Sequence, residues 1–430
     1  LWKNLSELSI WQIKQLSHFK PPHFEGWDKL IKYANRYGHQ QNTFNKALIT
    51  WQKAYPAHPA NRILSSLYQP TFVTPKHFSH IAVILPLSGK LEEAGKTAQQ
   101  GILSAYDNDP SRNLLFIDSD KLDMTTLDAV FAENNIEFVI GPLLKSNVQK
   151  YIETVTSTLP TLLLNLPKNA DLLPHHFTLS MQRENEAQQA ATSLKQRNYK
   201  YPLVLSFNNS VSRNIAQSFA TQWEQVNGSA PDIVYFGSGN QMQDDLKASL
   251  DINKSKQRVT EVKRMVKEKL NYQLRNRRDI DMIYLVGSPQ QTKLMKPYID
   301  VNISPFAKEI PVYASSLSHS IQEDSSDNRD LYRLVFTEIP LLLESKQQNK
   351  ELAKISQTLW PQRSDSLQRV FAMGYDSLHL VDKVITMQKH PYIRHLGQTG
   401  ILMLDKDNIL TRSLLWGRYS KDKVHQIAIH

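Results

Sequence analysis

The spacing of hydrophobic residues divides the chain into a helical beginning and a longer remainder. Between residues 5 and 55, apolar side chains recur every three or four positions, as on one face of an amphipathic helix. Pro21-Pro22 and Gly38-His39 interrupt this spacing, so we predict three short helices packed as hairpins. From Ser79 onward, short β-rich runs alternate with helical stretches, which is typical of an α/β fold.

The α/β part contains short apolar runs that we predict to be strands. They lie at residues 81–85, 114–118, 138–140, 161–164, 203–207, 233–236, 282–286, 312–314 and 334–337. Two of them, IAVIL and MIYLV, are apolar at every position, which is typical of parallel strands covered by helices on both faces. This many strands over about 350 residues exceed one doubly wound unit, so we predict two lobes. Four closing runs, GILMLD, ILTRSL, LWGRYS and VHQIAI, predict a small antiparallel addition to the second lobe.

The composition excludes several classes of protein. Hydrophobic residues make up 40% and charged residues 21% of the chain, as in proteins that fold in water. The longest apolar runs are far shorter than the roughly 20 residues that a transmembrane helix needs. The absence of Cys excludes zinc fingers, iron–sulfur clusters, thiol nucleophiles and disulfides. Because the sequence begins at Leu1 with neither an initiator Met nor a signal peptide, we expect a precursor segment and any lipid anchor to lie outside it.

The formal charge of +10 is concentrated in two stretches. Residues 1–78 carry ten Lys and Arg against three acidic residues, and residues 254–278 carry ten against two. In the second stretch, apolar residues recur at helical spacing between basic ones, which predicts a basic amphipathic helix. These apolar residues are Val259, Val262, Met265 or Val266, and Leu270. A solvated helix face is the plain interpretation, and an acidic protein face or an anionic polymer is the binding alternative.

The sequence shows no pattern of catalytic residues. A nucleophile beside a base, a metal-binding triad and a phosphate-binding glycine loop are all lacking, so we predict no enzyme, no cofactor and no metal site. His175-His176 has no third ligand at motif spacing. The turn at Ser88-Gly89 follows the first strand, where N–H groups could hold a carboxylate, although an ordinary βα turn also explains it. Gly141-Pro142 and Gly287-Ser288 repeat this position after later strands.

Four segments resemble a known family. HIAVILPLSGKLEEAGKTAQQGILSAY at 80–106, FVIGPLLKSNVQ at 138–149 and FAMGYDSLHLVDKV at 371–384 resemble type I periplasmic binding proteins in order and spacing, with GQTGILMLDKDN at 397–408 as the terminal hairpin. The resemblance implies a two-lobed α/β fold with two doubly wound parallel sheets, preceded by a short all-α segment. The implied domains are a tetratricopeptide-like helical segment and linker at 1–78, a first lobe at 79–181 plus 310–392, and a second lobe at 182–309 plus 393–430.

Within that fold, the chain is similar to the penicillin-binding-protein activator lipoproteins, the LpoA family. NRRDIDMIYLVGSPQQTKLMKPYIDVN at 276–302, PVYASS at 311–316 and the helical segment ending in YPAHPA carry this similarity. It implies a noncatalytic activator that docks on the bifunctional peptidoglycan synthase penicillin-binding protein 1A and stimulates its transpeptidase activity in cell-wall synthesis. It also implies a lipid-anchored location on the periplasmic side of the Gram-negative outer membrane, with peptidoglycan as a further candidate contact.

Two other functions stay open at this point. A periplasmic solute receptor would bind an amino acid or a cell-wall fragment in the crevice between its lobes. Its candidate ligand residues are Ser88, Gly89, Gly141, Pro142, Asn165, Ser288, Tyr375 and Asp376. An effector domain of a transcription regulator would need a DNA-reading headpiece, and no helix-turn-helix, zinc or basic-zipper pattern predicts nucleic-acid binding.

A cluster of arginines is the candidate docking surface for the activator. Arg275, Arg277 and Arg278 lie at the end of the second basic stretch. Arg is enriched at protein interfaces because its guanidinium can bind carboxylates with two parallel hydrogen bonds. We therefore expect an acidic partner patch to bind here, with a solvated surface as the alternative.

Overall fold

The computed structural model shows two compact units. The first comprises Leu1–Met181 and Asn349–Ser413, and the second comprises Gln182–Gln348 and Leu414–His430. The described residues are 1–430 without 7, 9–12, 14, 15, 17, 18, 20, 39, 40, 69–76, 107, 108, 170, 238, 267, 268, 270, 305, 306, 323–325, 429 and 430. Most of the predicted linker, at 69–76, and the predicted helical position Leu270 therefore lie outside the described residues.

Helices and strands alternate after an all-helical start. The helices are α1 (Trp2–Ser6), α2 (Phe24–Tyr37), α3 (Gln41–Ala54), α4 (Asn61–Tyr68), α5 (Glu92–Tyr106), α6 (Leu127–Glu133), α7 (Lys145–Thr154), α8 (Arg183–Lys195), α9 (Ser210–Asn227), α10 (Asn240–Ser249), α11 (Ile252–Met265), α12 (Pro289–Asn302), α13 (Asp327–Asp330), α14 (Lys350–Leu359), α15 (Asp365–Leu380) and α16 (Val384–Lys389). Short 3₁₀ turns lie at Gly89–Leu91, Met124–Thr126, Ser316–Ser318 and Pro340–Leu342.

The strands form one sheet in each unit. They are β1 (His80–Leu85), β2 (Asn113–Asp118), β3 (Phe138–Ile140), β4 (Thr161–Leu163), β5 (His176–Leu179), β6 (Pro202–Phe207), β7 (Asp232–Phe236), β8 (Met282–Val286), β9 (Val312–Ala314), β10 (Val335–Glu338), β11 (His395–Leu396), β12 (Ile401–Leu404), β13 (Ile409–Ser413), β14 (Leu415–Tyr419) and β15 (Val424–Ile427). Each of the nine strands predicted between residues 81 and 337 is present, with bounds that differ by at most one residue at either end.

The first sheet has the strand order β11-β12-β13-β5-β4-β3-β1-β2. Strands β1 to β5 pair in parallel, while β11 and β13 each pair antiparallel with β12. Buried Ile81 of β1 is in register with Leu114 of β2 and with Phe138 of β3. The continuous apolar runs are therefore central parallel strands, as their pattern predicts.

The second sheet has the order β15-β14-β10-β9-β8-β6-β7. Its strands β6 to β10 are parallel, and β14 and β15 add an antiparallel edge. All five residues of β8 are buried. Both sheets are thus mostly parallel with antiparallel strands at one end.

The helical start shares the core of the first unit. Trp27, Leu30 and Ile31 are buried on one face of α2, because they recur at helical spacing. Trp51 Nε1 of α3 donates a hydrogen bond to the carbonyl oxygen of Gly26 at 2.7 Å, which joins the two helices. The ring of Tyr392, which follows α16, has its centroid 5.7 Å from that of Trp2 and 6.0 Å from that of Phe44. This ring connects the helices to the α/β part of the same unit.

Two glycines let α5 and α15 approach each other in the first unit. A Cβ atom on Gly101 would lie 2.1 Å from the carbonyl oxygen of Phe371. A Cβ atom on Gly374 would lie 2.1 Å from the carbonyl oxygen of Ala98. Since both obstacles are backbone atoms, a larger residue would push the helices apart.

The structure divides the chain differently from the predicted lobes at two points. The first division, between Met181 and Gln182, is at the predicted position, but the predicted boundaries at 309/310 and 392/393 are replaced by divisions at 348/349 and 413/414. Strands β9 and β10 lie in the second unit because they pair with β8 and β14. Strands β12 and β13 lie in the first unit because β13 pairs with β5. Two of the four closing runs therefore extend the first sheet rather than the second.

Candidate functional site

The turn after β1 is held by a carboxylate. Asp118, the last residue of β2, accepts hydrogen bonds from Ser88 Oγ at 2.7 Å and from the N–H of Leu87 at 3.0 Å. Partial burial raises the pKa of Asp118, but the hydrogen bonds from Ser88, Asp120 and Leu87 outweigh this effect, so the pKa lies below its ordinary value. Its negative charge lies where the sequence predicts an anionic ligand. Asp118 can hold this turn because β2 lies beside β1 in the sheet and places Asp118 next to Leu85, the last residue of β1.

Gly141-Pro142 and Asn165 follow β3 and β4 and have partners within the first unit. Gly141 has a φ of 99°, and a Cβ atom there would lie 2.3 Å from the carbonyl oxygen of Ile84. The Gly141-Pro142 peptide bond is cis. Asn165 Nδ2 donates to the carbonyl of Leu143 at 3.2 Å, and Asn165 Oδ1 accepts from the N–H of Leu166 at 3.1 Å. These candidates share one edge of the first sheet with Ser88-Gly89, since all follow parallel strands.

Tyr375 and Asp376 lie on α15 and bind neighbouring segments of the first unit. Tyr375 Oη accepts a hydrogen bond from Asn349 Nδ2 at 3.1 Å. The fully buried Asp376 carboxylate accepts from the N–H groups of Gln398 at 2.8 Å and Thr399 at 2.7 Å, and from Thr399 Oγ1 at 2.6 Å. Burial raises the pKa of Asp376 to about 6, against the opposing effect of these hydrogen bonds. Asp376 thus holds the turn between β11 and β12 against α15.

Ser288 caps α12 in the second unit. Its Oγ accepts from the N–H of Gln291 at 3.3 Å, and Gln291 Oε1 accepts from the N–H of Ser288 at 2.8 Å. This reciprocal pair is a capping box, which satisfies N–H groups at the start of the helix. The ligand candidates therefore lie in two units. Each polar side chain among them forms a hydrogen bond within its own unit.

The three candidate docking arginines play different parts in the second unit. Arg277 Nη2 lies 2.8 Å from the carboxylate of Asp232 and 2.6 Å from that of Asp279. The hydrogen bond to Asp279 raises the pKa of Arg277 further above its ordinary value. Arg275 and Arg278 are exposed and line a recess of about 320 Å³. Two of the arginines are thus available to a partner, while Arg277 holds its own loop.

The basic helix α11 precedes these arginines and is exposed along most of its length. Its buried residues are Ile252 and Ser255. The side chains of Val262 and Met265 are 46% and 82% exposed, although their helical spacing is typical of a buried stripe. The N–H of Arg275 donates to Ser255 Oγ at 2.9 Å, so the loop lies beside the helix. The sequence predicts the basic helix, but the exposure of its apolar residues emerges only from the structure.

A Ser–His–Asp grouping on the first unit holds its histidine in the wrong tautomer for a catalytic triad. His77 Nε2 lies 2.7 Å from Ser111 Oγ, and His77 Nδ1 lies 4.0 Å from the carboxylate of Asp382. Arg112 Nη2 lies 3.2 Å from Nδ1. Since a guanidinium can only donate, Nδ1 must accept, and a neutral ring then carries its proton on Nε2. A catalytic base needs the opposite tautomer, with Nε2 free to take the serine proton.

The described part of the chain contains no group of three His, Asp or Glu side chains able to hold a metal ion. Burial lowers the pKa of His176 to about 4. His176 Nδ1 lies 3.4 Å from the N–H of Leu173, which donates to it. Among the described residues, no helix is both long and apolar enough to pass through a bilayer.

Comparisons with known proteins identify the family. A family model described as "LppC putative lipoprotein" matches residues 1–422. The chain belongs to the LppC lipoprotein family. The penicillin-binding protein activator LpoA of Photobacterium profundum is 30% identical over 435 residues, covering 99% of this chain and 70% of that protein. The protein of the same name in Vibrio antiquarius is 29% identical over 430 residues, covering 97% of this chain and 70% of that protein.

Solved structures similar to this LppC-family chain have the same fold. Full-length LpoA from Haemophilus influenzae, a crystal structure at 1.97 Å resolution, matches with a TM-score of 0.64 and 25% identity, covering 99% of this chain and 73% of that one. The LpoA C-domain from the same organism, described as a regulator of PBP1A, matches with a TM-score of 0.63 and 23% identity, covering 81% of this chain and 100% of that one. The predicted fold class, two mostly parallel α/β sheets after a helical start, is confirmed.

Proposed function

We propose that this protein is a noncatalytic activator that docks on the peptidoglycan synthase penicillin-binding protein 1A and stimulates its transpeptidase activity. The observation that carries the proposal is the 30% identity, over 99% of the chain, to a protein named penicillin-binding protein activator LpoA. The H. influenzae C-domain described as a regulator of PBP1A supports the choice of synthase. Such an activator works by binding the active conformation of the synthase more tightly than the inactive one.

The geometry of the candidate ligand residues also supports docking over capture of a solute. Ser88 binds Asp118, Asn165 binds its neighbouring backbone, and Asp376 accepts three hydrogen bonds from within the first unit. A solute carrying a carboxylate would have to displace Asp118 from Ser88. The polar side chains of this set are therefore already hydrogen-bonded within the described part of the protein.

The location and the helical segment complete the proposal. The protein belongs to a lipoprotein family, and we place it on the periplasmic face of the outer membrane, held by a lipid on an N-terminal part of the protein. Peptidoglycan is a further candidate contact there. Helices α1 to α4 are the end of a tetratricopeptide-like domain in this proposal.

The test is the cross-linking rate of purified penicillin-binding protein 1A on its lipid-linked substrate, with and without this protein. A solute-binding protein of the same fold is the control for crowding and nonspecific effects. A higher fraction of cross-linked peptides with this protein alone supports the proposal. Equal rates, with this protein shown to be folded, contradict it.

A thermal-shift screen distinguishes the solute receptor. A ligand at about 100 times its dissociation constant adds about 2.7 kcal/mol to the free energy of unfolding. Amino acids and muropeptides should leave the melting temperature unchanged if the protein is a docking activator. A clear shift with one of them would favour the receptor instead.

A further inference from the structure

The exposed face of α11 combines apolar and cationic side chains. Val262, Met265 and Val266 are 46%, 82% and 39% exposed, so they leave apolar area in water at the end of the helix. Arg258 projects from the same face of the helix, about one turn before Val262, and is also exposed. Burying apolar area is favourable, so an uncovered strip of this kind is a common mark of an interaction surface.

The loop after α11 extends this surface. Lys263 Nζ lies 3.9 Å from the centroid of the Tyr272 ring, and Tyr272 is 51% exposed. Arg275 and Arg278 line the neighbouring recess together with Asn271, Gln273 and Ser304. We call these residues the α11 surface: Arg258, Val262, Lys263, Met265, Val266, Tyr272, Arg275 and Arg278.

The cations of the α11 surface are not neutralised within the described part of the chain. Lys254, nearer the start of the helix, pairs with Asp251 at 2.9 Å, and Arg277 is bound by two aspartates. By contrast, three cations of the surface make no ion pair with any described residue. They are Arg258, Arg275 and Arg278. The surface therefore presents cations without an ion pair beside apolar area. Its acidic neighbours are the exposed Glu261 of α11 and the Asp251 and Asp279 that line an adjoining recess.

This chemistry fits an acidic protein segment better than a membrane. Arg, Met and Tyr are enriched in protein interfaces. Arg275 and Arg278 converge on a concave recess, where their guanidinium groups could bind a carboxylate side chain with paired hydrogen bonds. A membrane-surface helix would carry Trp, Phe or Leu along its apolar face, whereas α11 offers two Val and one Met.

We propose that the α11 surface is the docking site for an acidic segment of the synthase. Carboxylates of that segment bind Arg275 and Arg278 in the recess, and its apolar side chains cover Val262 and Met265. Arg277 is a positioning residue, because its ion pairs to Asp232 and Asp279 hold the loop that carries the other two arginines. This inference rests on the proposed function, since the synthase is its partner.

The experiment measures binding of the full chain to penicillin-binding protein 1A at low and at physiological ionic strength, about 0.15 M. The test variant is Arg275→Glu/Arg278→Glu. The matched control is Lys421→Glu/Lys423→Glu, which makes the same charge change on exposed residues of the same unit. Circular dichroism checks that both variants fold.

We expect the test variant to bind the synthase at least about tenfold more weakly, because like charges now face each other. Added salt should no longer weaken its binding as it weakens that of the wild type, because the attractive pairs are gone. The control should bind as the wild type does. A second variant, Val262→Ser/Met265→Ser, should weaken binding at both ionic strengths without changing the salt dependence. Synthase activation should fall in parallel with binding.

Other outcomes overturn the inference in distinguishable ways. If the wild type binds and activates the synthase but Arg275→Glu/Arg278→Glu does so equally well, the docking site lies elsewhere and the proposed function stands. If the wild type neither binds nor activates, the proposed function fails and this inference fails with it. If the test variant instead loses binding to vesicles of phosphatidylglycerol while synthase binding is unchanged, the surface is a membrane contact.

Discussion

Replacing the buried Asp376 should change how the stability of the protein depends on pH. The carboxyl has a pKa of about 6 in the folded protein, raised by burial from an ordinary value of 3.8. Because the folded pKa is raised, the protonated carboxyl contributes stability that is fully present below the unfolded pKa and is lost as pH rises through about 6. One pKa unit corresponds to about 1.4 kcal/mol, so the full loss is about 3 kcal/mol, of which about 2 kcal/mol falls between pH ~4 and ~7.

Asp376→Asn removes this titration while keeping the side-chain shape. Asn Oδ1 can still accept from the N–H of Gln398, but the N–H of Thr399 loses its acceptor, which costs roughly 1–3 kcal/mol. The variant should therefore be clearly less stable than the wild type near pH 4. The difference in free energy of unfolding should shrink by about 2 kcal/mol towards pH 7, since only the wild type must keep a buried charge there.

Urea unfolding of both proteins across this pH range measures the difference, and hydrogen exchange of residues 398 and 399 shows whether the loss is local. Asp171→Asn, which replaces an exposed carboxylate of the same unit, is the control for the loss of one carboxyl group. If the free energies of unfolding of the wild type and Asp376→Asn change with pH in parallel, burial does not raise the pKa of this carboxyl.

Two further substitutions test the packing of the first unit. Gly374→Ala should destabilise it by roughly 1–3 kcal/mol, because the new methyl group would lie 2.1 Å from the carbonyl oxygen of Ala98, and an unchanged urea midpoint would show that the helices can separate freely. Tyr392→Ala should cost about 3 kcal/mol and speed hydrogen exchange in α2 and α3, since it removes a buried ring that contacts Phe44. Tyr392→Phe keeps the ring and should behave almost as the wild type, so equal losses in both variants would contradict a role for ring packing.

Local patterns predict the elements of this fold well and their long-range partners poorly. The strand at 312–314 has the predicted bounds, because an apolar run between turns is a local signal. Its place in the second unit depends on pairing with β8, which no local pattern contains, and the predicted boundary at 309/310 therefore differs from the division at 348/349. Asp279, one partner of Arg277, is two residues away, but the other partner, Asp232, is distant along the chain, so the sequence alone does not show that Arg277 is held by two carboxylates.

The same limit applies to the candidate site. The position of Ser88 after the first strand is predictable, because the turn lies between a strand and a helix. Its occupation by Asp118 depends on the order of strands within the sheet. The apolar spacing of α11 predicts a stripe but not whether anything covers it, and the exposure of Met265 is therefore a structural finding.

The pairing of β13 with β5 has a consequence for biosynthesis. Leu410 is in register with Leu179, so one of the two neighbours of β5 is translated only after the segment Gln182–Gln348 of the second unit. Until then a nascent β5 presents unpaired N–H and C=O groups, which are a template for unwanted strand addition. Closing so long a loop is also slow, because its entropy must be lost before the pairing is gained. A newly made chain thus depends on protection of this edge until β13 arrives.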